Sequence, residues 1–147
     1  MFRFTLLVVG KLKNAHLRKL CEDYAGRLSR QGRLDVIELR DSDTETEGAR
    51  LSEAIDGRAN AVTWVLSEEG KAMRSADLAT RIHDRQGGEM TFVIGGPYGL
   101  SNPVKQRADQ LFSLSPMTFT HEMARFLLLE QLYRAVSINA GSKYHHE

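Results

Sequence analysis

The sequence predicts an α/β domain with a mostly parallel sheet flanked by helices. Three observations carry this. Apolar strand patterns alternate with helical ones along the chain. The first of them, Phe2 to Val9, is a compact apolar run closed by Gly10, as a buried strand should be. The run after it places Leu17, Leu20, Cys21, Tyr24, Ala25 and Leu28 at helical spacing, one stripe on one face. At 147 residues the chain is expected to form a single domain, 1–147, with one sizeable core.

The remaining elements follow in order. Gly32 breaks the first helix, and Leu34 to Leu39 reads as a second strand. Asp41 to Glu47 is acidic and polar, so it is expected to be a loop leading into a short helix, Ala49 to Ile55. Ala61 to Leu66 is a third strand, where Val62, Trp64 and Val65 favour extended structure. Ser67-Glu68-Glu69-Gly70-Lys71 breaks the pattern, and Ser75 is a good N-cap for a helix to about Arg85. After Gly87-Gly88, Met90 to Ile94 is a fourth strand that runs into a glycine loop. Pro103 suits the first turn of a short helix. Gln110 to Leu114 is a short fifth strand, and His121 to Asn139 is the longest helix. That helix is apolar on several sides, so it lies deep in the core or in a subunit interface. A chain this short offers little interior, which favours a homodimer contact.

Composition narrows the function. There is no apolar run near the roughly 20 residues of a membrane helix, and the apolar start is read as a strand rather than a signal peptide. The single cysteine, Cys21, excludes an intramolecular disulfide and a cysteine-rich metal site, and is expected in the core. His16, His83 and His121 show no ligand spacing, so no metal is expected. A reducing cytoplasm is the expected location. The net charge is +1, but residues 1–40 hold nine Lys/Arg against four Asp/Glu. This is either a basic face or a solvated helix face. So small an excess of positive charge predicts weak binding to isolated RNA.

Four features are candidates for chemistry. In open α/β sheets ligands sit beyond the carboxyl ends of strands. The segments 67–72, 95–101 and 115–120 each follow a strand, so they could converge on one site. Gly95-Gly96-Pro97 allows close approach to backbone amides, or is simply a tight turn. It has neither a Walker lysine nor dinucleotide-loop spacing. Leu114-Ser115-Pro116-Met117-Thr118-Phe119 alternates apolar and hydroxyl residues; it can bury an adenine-like ring, or be an ordinary connection. Tyr144, His145, His146 and Glu147 suit substrate contact or proton transfer, or are a frayed terminus. Arg134 lies four residues after Glu130, the spacing of a structural ion pair, or it holds an RNA phosphate.

On these residues the chain resembles the RlmH-type enzymes of the SPOUT methyltransferase superfamily, which methylate a pseudouridine in 23S ribosomal RNA. The shared signs are Leu66…Gly70-Lys71, Ile94-Gly95-Gly96-Pro97-x-Gly99-Leu100-Ser101 and Leu114-Ser115-x-x-Thr118. They continue through Arg125, Glu130, Leu132-Tyr133-Arg134-Ala135 and Ser137-Ile138, and close with Tyr144-His145-x-Glu147. The likeness spans essentially the whole chain. It implies a C-terminal trefoil knot, a homodimer whose active site uses both subunits, and 23S rRNA on the assembled ribosome as substrate. It implies S-adenosylmethionine as methyl donor, contacted by Leu66, Gly95 and the run Leu114, Ser115, Pro116, Met117, Thr118, Phe119. Arg134, Tyr144, His145 and Glu147 would form the catalytic, RNA-facing group. His146 departs from the pattern, which usually has arginine there. The N3 proton of the base would leave to His145, to Glu147 or to the terminal carboxylate. Two other readings remain open: a SPOUT methyltransferase for another RNA site, and a non-catalytic ribosome-binding module.

Overall fold

The structure, a computed structural model, describes residues 1–146. Five parallel strands, β1 (Arg3–Val9), β2 (Arg33–Leu39), β3 (Val62–Ala72), β4 (Glu89–Ile94) and β5 (Gln110–Ser113), form one sheet in the order β2-β1-β4-β3-β5. The predicted α/β class and parallel sheet are therefore present. Between the strands run α1 (Ala15–Ser29), α2 (Thr44–Asp56), α3 (Ser75–Asp84) and α4 (Asn102–Gln106), and α5 (His121–Asn139) follows β5. Crossovers that step one way along the sheet (α1, α3) cover one face; those that step the other way (α2, α4) cover the opposite face. This alternation is what right-handed crossovers require.

The larger core lies under α1, α3 and α5. There Leu6, Phe92, Leu128, Leu129 and Leu132 are fully buried and Phe92 meets Phe4, Trp64 and Phe112 edge-on or nearly so. Cys21 is buried in it as expected. The smaller core, around Leu51, Val65, Val93 and Val104, lies under α2 and α4. β1 and β4 are central, covered on both faces, and read as apolar runs; β2 is an edge and is only half buried.

Four boundaries differ from the sequence reading, each for a local reason. α2 begins at Thr44, not Ala49, because the Asp43 side chain accepts the Thr46 amide at 2.8 Å and caps it. Ser75 does not cap α3; its hydroxyl donates to Gln131 of α5 at 2.6 Å, and the Arg74 amide is met by the Asp77 carboxylate at 3.1 Å. β3 does not stop at Leu66. It loops out and resumes, so that Phe112 of β5 pairs with both Leu66 and Lys71. Leu114 lies just past the end of β5.

The last helix finds an interior within the chain itself. It packs between α1 and α3, with Ala124, Leu128, Leu129, Leu132, Ala135 and Val136 buried. The shortage of interior argued from chain length is thus relieved by sandwiching α5 in a groove between two helices. Met123, Phe126, Leu127 and Tyr133 stay half exposed along its rims.

Candidate active site

The looped-out segment inside β3 and the loops beyond the carboxyl ends of β4 and β5 meet and enclose a cleft of about 970 Å³. Leu66 and Ser67 to Glu69 form one wall, Gly95 to Leu100 a second, and Ser113 to Ser115 with Met117 to Glu122 a third. The convergence expected from sequence is what the fold produces. Leu66, Gly95, Leu114, Ser115, Met117, Thr118 and Phe119 all line the cleft; Pro116 shapes its loop without lining it.

Each loop is held by its own chemistry. Gly96-Pro97-Tyr98-Gly99 is a tight turn in which the Gly99 amide donates to the Gly96 carbonyl at 3.1 Å. Gly99 sits at φ +84°, a conformation open to glycine at no cost. The tight-turn and ligand-loop readings of this segment are therefore compatible. In the third loop Ser113 Oγ donates to the Ser115 carbonyl and accepts the Ser115 amide, and Ser115 Oγ accepts the Met117 amide. These serines brace the backbone around Pro116. Thr118 Oγ1 donates to the Glu68 carboxylate across the cleft. Tyr98 and Met117 stand at the rim, 80% and 74% exposed. Large apolar side chains left in water beside a cleft mark a surface that something else covers.

Sequence reasoning missed three acidic residues here. Glu47 is buried behind the glycine loop: one carboxylate oxygen accepts the Ser42 amide at 2.7 Å, and the other has no partner among the described residues. It packs against Gly96, while the next residue, Gly48, leaves no room for a Cβ beside Ser101. The first turn of α2 is therefore the back wall of the loop. Glu122 accepts the Lys13 and Asn14 amides at 2.6 and 3.0 Å, pinning α5 to the start of α1 at the cleft mouth. Glu68 is the third. A glutamate in a polar loop or first helical turn reads as solvated from sequence, and only Glu68, just past the expected end of the third strand at Leu66, carried a signal of place.

Glu122 also gives a pH dependence. Donation from the Asn14 amide, helped by Lys13, holds its carboxyl below the usual range. A depressed folded-state pKa stabilises above the unfolded value and that stability disappears as pH falls through the folded one. Thermal unfolding followed from about pH 5 down to about pH 3 should therefore show a smaller acid loss in Glu122→Gln than in the parent. Parallel curves would remove Glu122 as the clasp.

The tail residues lie elsewhere. Arg134 donates to Glu130 Oε1 through Nε and Nη2 at 3.2 and 2.6 Å, so the ion-pair reading holds. Tyr144 OH reaches the same oxygen at 3.0 Å and Tyr24 OH at 2.8 Å, and its ring packs on Tyr133. Burial, then the bonds to Tyr24 and Glu130, push the Tyr144 phenol far above its ordinary value, so it stays protonated. Arg134 Nη1 lies 3.2 Å from His145 Nδ1. A guanidinium only donates, so Nδ1 accepts and the ring proton sits on Nε2. Tyr144 and His145 are thus docked rather than frayed. Glu147 lies outside the described residues. Ala124 is the last residue of α5 to line the cleft, and Arg134 lies about 15 Å further along the helix at 1.5 Å per residue. Within one chain the described tail residues, Tyr144 and His145, do not line the cleft.

Among the described residues no three His, Cys, Asp or Glu side chains gather as a metal site, and no helix is long and apolar enough to cross a membrane.

Comparison with known proteins identifies the class. The "Predicted SPOUT methyltransferase" family matches residues 2–145. The fold resembles a probable methylase family protein from Haemophilus influenzae, with TM-score 0.62 at 13% identity over 99% of this chain and 71% of that one. It also resembles TrmJ from Z. mobilis, with TM-score 0.52 at 12% identity over 100% and 72%. The chain belongs to the SPOUT methyltransferase family. Its full-length relatives include the ribosomal RNA large subunit methyltransferase H of Geotalea daltonii, 42% identical over 98% of this chain and 99% of that protein. The Oenococcus oeni protein of the same name is 40% identical over 99% of each. The chain is therefore a SPOUT methyltransferase of the group to which these proteins belong.

Proposed function

We propose that this protein is a homodimer that transfers the methyl group of S-adenosylmethionine to N3 of a pseudouridine in the 23S rRNA of the large ribosomal subunit, on the assembled ribosome in the cytoplasm. The names of its relatives support the RNA. One observation carries the rest: the cleft and the Arg134, Tyr144 and His145 group lie about 15 Å apart along one helix. A second copy that brings its tail to the first copy's cleft completes the site. The half-exposed Phe126 and Tyr133 on α5 and the exposed Leu20 on α1 supply an apolar face for that copy.

The cleft fits the methyl donor. Leu66, Leu114 and Phe119 offer apolar walls for an adenine ring, and two loops offer backbone amides and carbonyls to its edge. Bound there, the donor supplies an already activated sulfonium methyl. What remains for the protein is alignment and the removal of the N3 proton. Arg134 stays cationic, because its bonds to Glu130 raise its pKa further. It suits an RNA phosphate. His145 lends its Nδ1 lone pair to Arg134; when a phosphate draws the guanidinium away, that lone pair becomes free to take a proton. Glu147 and the terminal carboxylate are the other acceptors. The trefoil knot is part of the same proposal. It is supported by the path of 114–120, which leaves edge strand β5, passes the β3 and β4 loops, and places α5 between α1 and α3.

The test is methyl-labelled donor with ribosomes lacking the modification, and mass spectrometry of the product. Label on N3 of one 23S pseudouridine is expected. Label at another nucleotide would reassign the substrate, and no label with intact donor binding would leave only a binding role.

A further inference from the structure

Three carboxylates and one lysine line the cleft: Glu68, Glu69 and Glu122 against Lys105, a formal balance of −2. Two of the three are already engaged. Glu122 accepts two backbone amides, and Glu69 lies 3.2 Å from the Lys105 ammonium. Among the described residues Glu68 is met only by a neutral hydroxyl, that of Thr118. Among the described residues it is the carboxylate of the cleft that neither a cation nor a backbone amide meets. It also stands directly against the run, 114–119, that forms the third wall.

The two forms of the proposed cofactor differ by one charge. S-adenosylmethionine carries a sulfonium and an ammonium against one carboxylate, a net +1. After the methyl group leaves, the sulfur is a neutral thioether and S-adenosylhomocysteine is net neutral. Backbone amides and apolar walls hold both forms alike. Only a charged side chain facing the cleft separates them at long range.

We infer that Glu68 is the specificity residue that distinguishes the cationic methyl donor from its neutral product. The inference rests on the reading that S-adenosylmethionine occupies this cleft. Glu68 then favours loading of the donor, and the reaction itself cancels the attraction and eases exchange of the product. Thr118 holds the carboxylate against the third wall until a cation arrives. Because Glu68 is exposed, water screens it, and the discrimination it contributes is on the order of fivefold.

The experiment is calorimetric titration of the full chain and of Glu68→Gln with three ligands. These are S-adenosylmethionine, S-adenosylhomocysteine and sinefungin, whose amine replaces the sulfonium with a second cation. The amide keeps the shape of the side chain and still accepts from Thr118, so a merely structural role would not move the ratios. Expected is about a fivefold weakening of both cationic ligands with the neutral product unchanged. In the parent, the preference for cations should also grow as salt is lowered. Equal loss for all three ligands, or no change in any, would overturn the role of Glu68 while leaving the cofactor site standing. Failure of the parent to bind any of the three would instead bring down the cofactor reading, and this inference with it.

Discussion

Truncation before Tyr144 is expected to reduce methyl transfer by about 100-fold or more while leaving donor binding near its parental value. Among the described residues no tail side chain lines the cleft, so the donor keeps every described wall. The truncated helix keeps its own ending: the Ala140 amide still donates to Val136, and Gly141 still turns at φ +72°. What is lost is the phenol on Glu130, costing about 1 kcal/mol of stability, and the imidazole on Arg134. Single-turnover transfer beside donor calorimetry separates the two. Full transfer by the truncated protein would end the case for the tail.

The same variant tests how the site is shared. Gly95→Val puts carbon where Leu100 lies 2.7 Å from a first Cβ, and should close the cleft. Mixed with the truncated chain by unfolding and refolding, it forms dimers in which one of two sites has both an open cleft and a complete tail. With random pairing, about a quarter of parental activity should return. No recovery would mean that each chain serves its own cleft, against the 15 Å spacing estimated from helix rise.

Gly70→Ala should be the most damaging single methyl in the chain. A Cβ at Gly70 would lie 2.5 Å from the Phe112 nitrogen and 2.6 Å from the carbonyl carbons of Leu111 and Phe112. These are backbone atoms of β5, which cannot swing aside as a side chain can. β3 and β5 would have to part where Lys71 and Ala72 resume pairing, and with them the walls carrying Leu66 and Leu114. Overpacking of this kind costs about 1–3 kcal/mol. Urea unfolding should show that loss, and donor affinity should fall further than the fold itself. A variant that matched the parent in both would mean the two strands part more easily than their register suggests.

These cases also show what the sequence made legible. β1 and β4 were readable because they are covered on both faces and so are apolar throughout. The α1 stripe was readable because one face meets the core. The three site loops were readable as places, since strand ends in a parallel sheet point one way. The β3 extension was not, because Ser67 to Gly70 is polar and Lys71 and Ala72 resume pairing with residues 41 positions away. Nor was the early start of α2, whose acidic first turn looks like a loop until Asp43 is seen capping it. Glu122 and Glu68 gain meaning only from partners distant in sequence, 108 and 50 residues away. The separation of cleft and tail group is likewise a fact of helix length and packing, invisible in a motif that names both.

The clasp at the start of α5 gives the cleft a place in time. Glu122 and Arg125 bind residues 108, 109 and 87 positions earlier in the chain. Closing such long loops is entropically late, and the partners, the β1–α1 junction and the end of β2, must already exist. The third wall of the cleft hangs from that clasp. On the proposed function, a newly made chain is expected to pass through a stage with its sheet assembled and the third wall of the cleft not yet in place, unable to hold the donor until the final helix has docked.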